Sequence, residues 1–497
     1  MSLINVSNLT FSYDGSYDDI FSDVSFQIDT AWKLGFCGRN GRGKTTFLKL
    51  LMGDYEYRGM ISASVKFDYF PFAVADKSQD TMSILTTIAS EAPVWQIQKE
   101  LSKLAIAEDA LYRPFQTLSN GEQTKALLAG LFLRSDNFLL IDEPTNHLDM
   151  AARDTVARYL NNKSGFIIVS HDRAFLDICV DHILSINKAN IEIMTGNFST
   201  WWKQKKRQDA YELAQNEQLG QEIGRLKESM DRTGRWSDKA ESNKFGFNPR
   251  KSENMNRRPY EAAKSAKMMK QAKNTEKRRQ RNIDEKSKLL KNIETADDLK
   301  IIPLIYHTPN IITVENLTIA YDKREIITNL TFTLQQGERL ALRGGNGSGK
   351  SSLIKLICGE DIPHTGTINI GTKLIVSYVP QDTSFLTGDL KSHAEKYQID
   401  ETLFKSILRK LDFSRTQFDK DMRDFSAGQK KKVLLAGSLC QPAHVYIWDE
   451  PLNFIDVLSR MQIEELIIKF KPTLLFVEHD RAFCENIATK TIDLLTF

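Results

Sequence analysis

No uninterrupted apolar run in this sequence approaches the roughly 20 residues a membrane-spanning helix needs. The longest, Ala126 to Leu133, is broken by Gly130. The five cysteines (Cys37, Cys179, Cys358, Cys440 and Cys484) form no CxxC pair and have no histidine at ligand spacing. That argues against a disulfide framework and against a zinc site. The first residues, Met1-Ser2-Leu3-Ile4-Asn5-Val6, lack the basic start and apolar stretch of a signal peptide. The expected compartment is therefore the cytoplasm, with no membrane partner. What remains is a chain of 497 residues, 41% hydrophobic and 26% charged, an ordinary soluble composition with room for two to four domains.

Charge is unevenly placed. The chain carries a net +3, but residues 201–300 hold 26 basic against 16 acidic residues, a net +10, so the remainder carries about −7. Most of that surplus lies between Asp231 and Asn282.

Four motifs occur twice in the same order. From Lys44 it is 75 residues to Ser119, 24 more to Glu143 and 28 more to His171. From Lys350 the steps are 76 to Ser426, 24 to Glu450 and 29 to His479. A constant offset of 306 to 308 residues marks a duplicated unit. Short apolar runs recur at matching places, Phe138 to Ile141 and Phe166 to Val169 in one half, Val445 to Trp448 and Leu474 to Val477 in the other. Such runs suit strands buried on both faces of a parallel sheet, and their alternation with helical patterns predicts an α/β fold. The expected domains are residues 1–200, with a short arm region near 76–115, a linker at 201–300, and residues 301–497.

The repeated motifs carry phosphate chemistry. Gly38-Arg39-Asn40-Gly41-Arg42-Gly43-Lys44-Thr45, followed by Thr46, fits GxxxxGK[ST]. Gly344-Gly345-Asn346-Gly347-Ser348-Gly349-Lys350-Ser351, followed by Ser352, fits it again. The glycines let backbone N–H groups curl around phosphates, the lysine neutralises β/γ charge, and the Thr45 or Ser351 hydroxyl ligates Mg²⁺. Asp142 and Asp449, at strand ends, are expected to hold Mg²⁺. The following Glu143 and Glu450 are placed to act as general base on the attacking water. His171 and His479, one strand later, are placed to contact the γ-phosphate.

Leu118-Ser119-Asn120-Gly121-Glu122 and Phe425-Ser426-Ala427-Gly428-Gln429 resemble the signature motif of the ATP-binding-cassette superfamily. The resemblance implies two tandem ABC-type P-loop ATPase domains in one monomeric chain. It also implies two mixed ATP sites: Lys44 and Glu143 facing Ser426 and Gly428, and Lys350 and Glu450 facing Ser119 and Gly121. Tyr13 and Tyr321 sit where this superfamily stacks an aromatic on adenine, though each also reads as a core tyrosine at a strand end. Gln381, in Tyr378-Val379-Pro380-Gln381, matches the glutamine that touches Mg²⁺ and the attacking water. Phe72 stands at the corresponding place in the first half and cannot ligate a metal.

The linker has a different texture. Leu219, Ile223, Leu226 and Met230 recur at steps of 4, 3 and 4, the seam of one helix paired with another. Pro259 starts a second helical stretch reaching about Ala296. Two long antiparallel helices with an irregular tip near residues 238–258 are predicted; a solvated linker without fixed reach is the other reading. Lys244, Phe245 and Phe247 give the tip basic and aromatic groups suited to stacking on splayed nucleotides. The bland alternative is a tip that only closes the hairpin.

Tandem cassettes, a basic helical linker and phrases such as Asp142-Glu143-Pro144-Thr145-Asn146-His147-Leu148-Asp149 and Ser170-His171-Asp172-Arg173 resemble the ABC-F proteins over the whole chain. Trp32-Lys33-Leu34-Gly35 and the divergent Pro451-Leu452-Asn453-Phe454-Ile455-Asp456 look like the Lsa-like branch of antibiotic-resistance ABC-F proteins. That resemblance implies a partner, the 70S ribosome with its 23S rRNA and P-site tRNA, and ATP with Mg²⁺ as cofactors. It implies a linker inserted from the tRNA exit site that protects against lincosamide, pleuromutilin and streptogramin A drugs. A housekeeping ABC-F translation factor, which binds ribosomes without shifting drug susceptibility, is the alternative. An efflux-pump ATPase would need a membrane partner, and a DNA-repair cassette a longer coiled coil or a zinc hook.

Because Gln381 has no counterpart at Phe72, the site built on Lys44 is expected to be the more weakly organised. Glu450→Gln should therefore lower steady-state ATPase by more than Glu143→Gln does; equal losses from the two variants would contradict this.

Overall fold

The computed structural model describes residues 2–13, 19–134, 137–146, 148–186, 191–245, 277–278, 299–321, 324–414 and 417–494. The chain divides into two compact units, Met1–Trp201 with Ala296–Phe497, and Trp202–Thr295.

In the first cassette, β1 (Leu3–Phe11) lies between β2 (Phe21–Asp29) and β4 (Arg58–Ser62) in an antiparallel sheet. Between β2 and β4 come β3 (Lys33–Cys37) and α1 (Lys44–Met52). The chain continues through β5 (Lys66–Phe70), α2 (Thr81–Ile88), α3 (Val94–Lys103), α4 (Asn120–Leu131), β6 (Asn137–Asp142) and α5 (Met150–Asn161). It ends with β7 (Phe166–Val169), α6 (Arg173–Cys179), β8 (His182–Ile186) and β9 (Ile191–Thr195). The second sheet has the order β5-β6-β7-β3-β8-β9, parallel except for β9. Every residue of β7 is buried, which explains its unbroken Phe-Ile-Ile-Val.

The second cassette repeats this plan after α7 (Phe198–Phe245). β10 (Asn310–Tyr321) pairs with β11 (Arg324–Gln335) and, beyond β12 (Arg339–Arg343) and α8 (Lys350–Ile357), with β13 (His364–Ile370). Next come β14 (Val376–Val379), α9 (Leu390–Lys396), α10 (Glu401–Lys410), α11 (Ala427–Cys440), β15 (Val445–Asp449) and α12 (Val457–Phe470). β16 (Leu474–Val477), α13 (Arg481–Ile487) and β17 (Lys490–Asp493) complete a parallel sheet of order β14-β15-β16-β12-β17. No helix among the described residues is long and apolar enough to cross a membrane.

Repetition extends to the helix caps. Asp149 and Asp456 accept from backbone N–H groups at the starts of α5 and α12, and Asp172 and Asp480 do the same for α6 and α13. A carboxylate there satisfies donors that the first helical turn leaves unpaired. These caps fix where each loop between strand and helix ends, and the loops carry the repeated motifs.

α7 is rooted by Phe198 and Trp201, both buried and 5.3 Å apart between ring centroids. Ser199 N donates to Asp177 at 2.7 Å. Beyond the root, Trp202, Lys205, Asp209, Glu212, Asn216, Leu219 and Ile223 are half-buried or buried, at steps of 3 and 4. One stripe of the helix is therefore covered, as in a coiled-coil seam. Trp202 at the root and Leu219 and Ile223 at the distal end are its apolar members; Lys205 and Asp209 in the stripe are ion-paired at 3.0 Å. α7 stays helical through 238–245, the first part of the segment read from sequence as an irregular tip. The local sequence there has no proline before Pro249 to stop it. Phe247, the rest of the expected tip and nearly all of the stretch predicted as a second linker helix lie outside the described residues; of Lys244 and Phe245 only the helical backbone is described.

One polar cluster ties the helices of the first cassette together. Glu100 on α3 accepts from Lys103 at 2.7 Å and from Tyr159 and Lys163 at 2.6 Å. Burial pushes its carboxyl up, but these bonds outweigh that and hold it at about 2, below the ordinary 4.5. A carboxylate favoured in the folded state contributes stability above its unfolded pKa and loses it as pH falls from about 4.5 to about 2. Glu100→Gln should cost about 1–3 kcal/mol at neutral pH. The gap in melting temperature from the parent should narrow on acidification; a gap independent of pH would contradict the assignment.

Candidate functional site

Two cavities open between the cassettes, each lined from both. Site 1, about 590 Å³, is lined by Asn40, Gly41, Gly43, Lys44, Thr45 and Thr46, with Asp142, Glu143 and His171, all of the first cassette. Ser426, Ala427, Gly428 and Phe454 of the second cassette face them. Site 2, about 670 Å³, reverses the roles: Asn346, Gly347, Gly349, Lys350, Ser351, Ser352, Gln381, Glu450 and His479 face Ser119 and Gly121. Both volumes fall in the range of ~300–1,000 Å³ typical of small-molecule sites. Gly38 and Gly344, the outermost glycines of the two loops, adopt φ of 159° and 155° at strand ends.

The loops form as the motif demands. Gly43 and Gly349 take φ of 92° and 86°, a left-handed turn into α1 and α8 that an L side chain resists. A Cβ at Gly43 would also lie 2.4 Å from Ile20. Lys44 Nζ donates to the carbonyls of Gly38 at 2.7 Å and Arg39 at 3.1 Å, and Lys350 Nζ to those of Gly344 at 2.9 Å and Gly345 at 2.8 Å. Burial lowers the pKa of both ammonium groups, while nearby carboxylates act the other way. Such carboxylate-braced cations suit a phosphate.

Opposite them, Ser119 and Ser426 cap α4 and α11 in capping boxes closed by Glu122 and Gln429. Each places a helix N-terminus, with its unpaired N–H groups, toward the other cassette's loop.

The two acidic pairs differ. In site 1, Asp142 Oδ2 accepts from Thr45 Oγ1 at 2.7 Å and from Tyr69 Oη at 3.0 Å. Glu143 is half-buried, with His171 Nε2 3.2 Å from its Oε1. Its carboxyl is pushed up to about 8 by burial and by Asp142, against the pull of Lys44. Burial, Lys44 and Arg460 push His171 well below its ordinary pKa, so it is a neutral imidazole. In site 2, Glu450 Oε2 accepts from Gln381 Nε2 at 2.9 Å and from Asn453 Nδ2 at 2.6 Å, with His479 Nε2 3.5 Å from Oε1. Burial would raise its carboxyl, but the bonds from His479 and Gln381 hold it below the ordinary value. Asp449 Oδ1 is buried without a hydrogen-bond partner among the described residues. An orphaned carboxylate oxygen beside a serine hydroxyl is the oxygen donor set that Mg²⁺ takes.

Tyr13 lines site 1, is 42% exposed, and its hydroxyl lies 2.8 Å from Thr46 Oγ1. Tyr321 is equally exposed and donates to Ser352 at 3.2 Å, but it does not line site 2. Neither tyrosine is a core residue.

Sequence reasoning missed the seam between the cassettes. Phe454, at φ 63°, lines both cavities, and its carbonyl accepts from Asn40 Nδ2 across the interface at 2.8 Å. Arg153 Nη1 donates to Asp172 at 3.0 Å in its own cassette and to the carbonyl of His479 in the other at 3.1 Å. Arg460 repeats the first of these bonds on Asp480 at 3.1 Å. Two equally spaced arginines, each ten residues past a general-base candidate, were the available signal.

The ABC transporter family model matches residues 21–146 and 327–453, just over half of the chain. This chain belongs to the ABC transporter family. Both matched stretches contain a phosphate loop, a signature loop and an acidic pair, so the chain is an ABC ATPase with two ATP-binding domains. Full-length relatives place it in the ABC-F branch. It is 28% identical to "Ribosome protection protein VmlR" of Bacillus subtilis (strain 168), over 97% of this chain and 85% of that protein. It is 25% identical to "Probable ATP-binding protein YbiT" of Escherichia coli O157:H7, over 98% and 95%. It is 24% identical to "ABC transporter F family member 2" of Arabidopsis thaliana, over 99% and 76%. The fold matches an archaeal aABCE1 structure with a TM-score of 0.64 at 18% identity, covering 98% of this chain and 87% of that one.

A methyl group at Gly428 would meet the Phe454 carbonyl at 2.5 Å. Gly428→Ala in this ABC ATPase should displace that carbonyl from Asn40 and weaken fluorescent-ATP binding at site 1 about tenfold, ~1.4 kcal/mol. Gly437→Ala, whose neighbours begin at 3.6 Å, is the control. Equal affinity in the two variants would contradict the coupling.

Proposed function

We propose that this ABC-F ATPase binds ribosomes when loaded with ATP and protects them from drugs of the peptidyl-transferase centre. The observation that carries this reading is the similarity, across 97% of the chain, to a protein named for ribosome protection. The helical linker supports it: 48 residues of α7 rise roughly 72 Å at 1.5 Å per residue. Its basic surplus suits rRNA phosphates. In this reading α7 and its partner enter from the tRNA exit site beside P-site tRNA. Lys244, Phe245 and Phe247 then come near 23S rRNA and the lincosamide, pleuromutilin or streptogramin A sites.

The ATP sites drive entry and release. Lys44 and Lys350 hold the β/γ-phosphates, and Ser426 and Ser119 meet the γ-phosphate from the opposite cassette. Thr45 with Asp142, and Ser351 with Asp449 and Gln381, would hold Mg²⁺. The ion supplies charge neutralisation at the transferring phosphoryl group when bound. Glu143 and Glu450 take a proton from the attacking water, while His171 and His479 contact the γ-phosphate. ATP thereby stabilises the closed pair of cassettes, and hydrolysis releases it. A second reading, a housekeeping translation factor, is favoured by comparable likeness to relatives named only as ATP-binding or ABC-F proteins.

Growth of a susceptible Gram-positive host against lincomycin, tiamulin and virginiamycin M separates the two. Expression should raise the inhibitory concentrations several-fold, and Glu143→Gln/Glu450→Gln should abolish the gain. Unchanged susceptibility with a well-expressed chain would favour the housekeeping reading.

A further inference from the structure

Lys431 lies five residues beyond Ser426 on α11, is 3% exposed, and lines site 2. Its ammonium donates to the carbonyl of Pro380 at 3.0 Å and to that of Asp449 at 3.4 Å. Those carbonyls belong to the residues immediately before Gln381 and Glu450. Beyond them the two side chains meet, Gln381 Nε2 donating to Glu450 Oε2 at 2.9 Å. One cation thus ties two loops together just behind the point where their side chains are joined.

An ammonium is buried only where carboxylates or carbonyls replace its water. Burial works against the charged form of Lys431, and Glu478, Asp449 and Glu450 work for it. Glu478 is itself buried, accepting from Leu452 N at 2.7 Å and from His479 N at 3.2 Å. At the corresponding positions the first cassette has Thr124 for Lys431, Thr145 for Leu452 and Ser170 for Glu478. There Thr145 and Ser170 join hydroxyl to hydroxyl at 3.1 Å. Where the first cassette has a neutral arrangement the second has a charged one, in the same half that carries Gln381.

We infer that Lys431 is a positioning residue of site 2, locking the Gln381 and Glu450 loops in register so that the Glu450 carboxylate is held toward the attacking water. Site 1, with Thr124 and Phe72, has no such lock. The inference rests on the reading of Glu450 as general base. It adds a residue that acts through the Gln381 and Glu450 loops.

Lys431→Met keeps the stem and removes the donors; Lys431→Gln keeps an NH₂ group on a shorter stem. Each is placed in the full chain with Glu143→Gln, so that site 2 reports, or with Glu450→Gln, so that site 1 reports. Single-turnover hydrolysis of bound ATP, fluorescent-ATP affinity and melting temperature are measured for each. Lys431→Met should slow site 2 at least about tenfold, in line with what small misplacements of reacting groups cost. ATP affinity should stay within about twofold, well under the tenfold that 1.4 kcal/mol represents. Lys431→Gln should fall between, and site 1 should not change. Equal slowing of both sites, or slowing that follows lost ATP affinity or a lowered melting temperature, would assign Lys431 to folding alone and overturn the inference. Unslowed site 2 in Lys431→Met would overturn it too. Undiminished hydrolysis in Glu143→Gln/Glu450→Gln, with Lys431 intact, would instead retire the general-base reading itself.

Discussion

Neither nucleotide site is complete within one cassette, and hydrogen bonds and ion pairs, two of them buried, join the cassettes around them. Asn40 reaches the Phe454 carbonyl, Arg153 reaches the His479 carbonyl, and Arg173 pairs with Glu464 across the same boundary. Buried groups of this kind stabilise little when paired and cost much when parted. They therefore act as register marks for one relative placement of the cassettes. In that placement each phosphate loop faces a foreign helix N-terminus, and ATP adds the charge that both sides lack.

The two sites are not copies. Site 2 surrounds its base candidate with an amide from Gln381, another from Asn453 and an imidazole from His479, and braces the loops with a buried lysine. Site 1 leaves Glu143 half-buried beside Asp142, with its carboxyl pushed up to about 8, and spends Tyr69 on Asp142. Hydrogen bonds thus favour the Glu450 carboxylate, whereas burial and Asp142 work against that of Glu143. Arg153 bonds both to Asp172 of its own cassette and to the His479 carbonyl of the other.

The phosphate loops, acidic pairs and signature serines were legible because glycine, lysine and carboxylate at fixed spacing have few other uses. The parallel sheets were legible from unbroken apolar runs. The covered stripe of α7 was only half legible: Leu219 and Ile223 gave it away, but its middle members are Lys205, Asp209, Glu212 and Asn216, which look like solvated surface. The extent of the helix was misjudged for a related reason, since a polar stretch without proline carries no stop signal. Phe454 and Lys431 were invisible for a third reason. Their importance lies in a backbone carbonyl and in carbonyls contacted far along the chain, and no local pattern reports either.

The most direct test of the shared-site account is ultraviolet cleavage of the chain by orthovanadate trapped with ADP, which cuts backbone near the γ-phosphate position. The account predicts that Lys44→Ala removes the cuts at the Lys44 loop and at Ser426 together, and spares those at Lys350 and Ser119. Loss of the cut at Ser119 with survival of the cut at Ser426 would mean that each cassette completes its own site, and the account would fall.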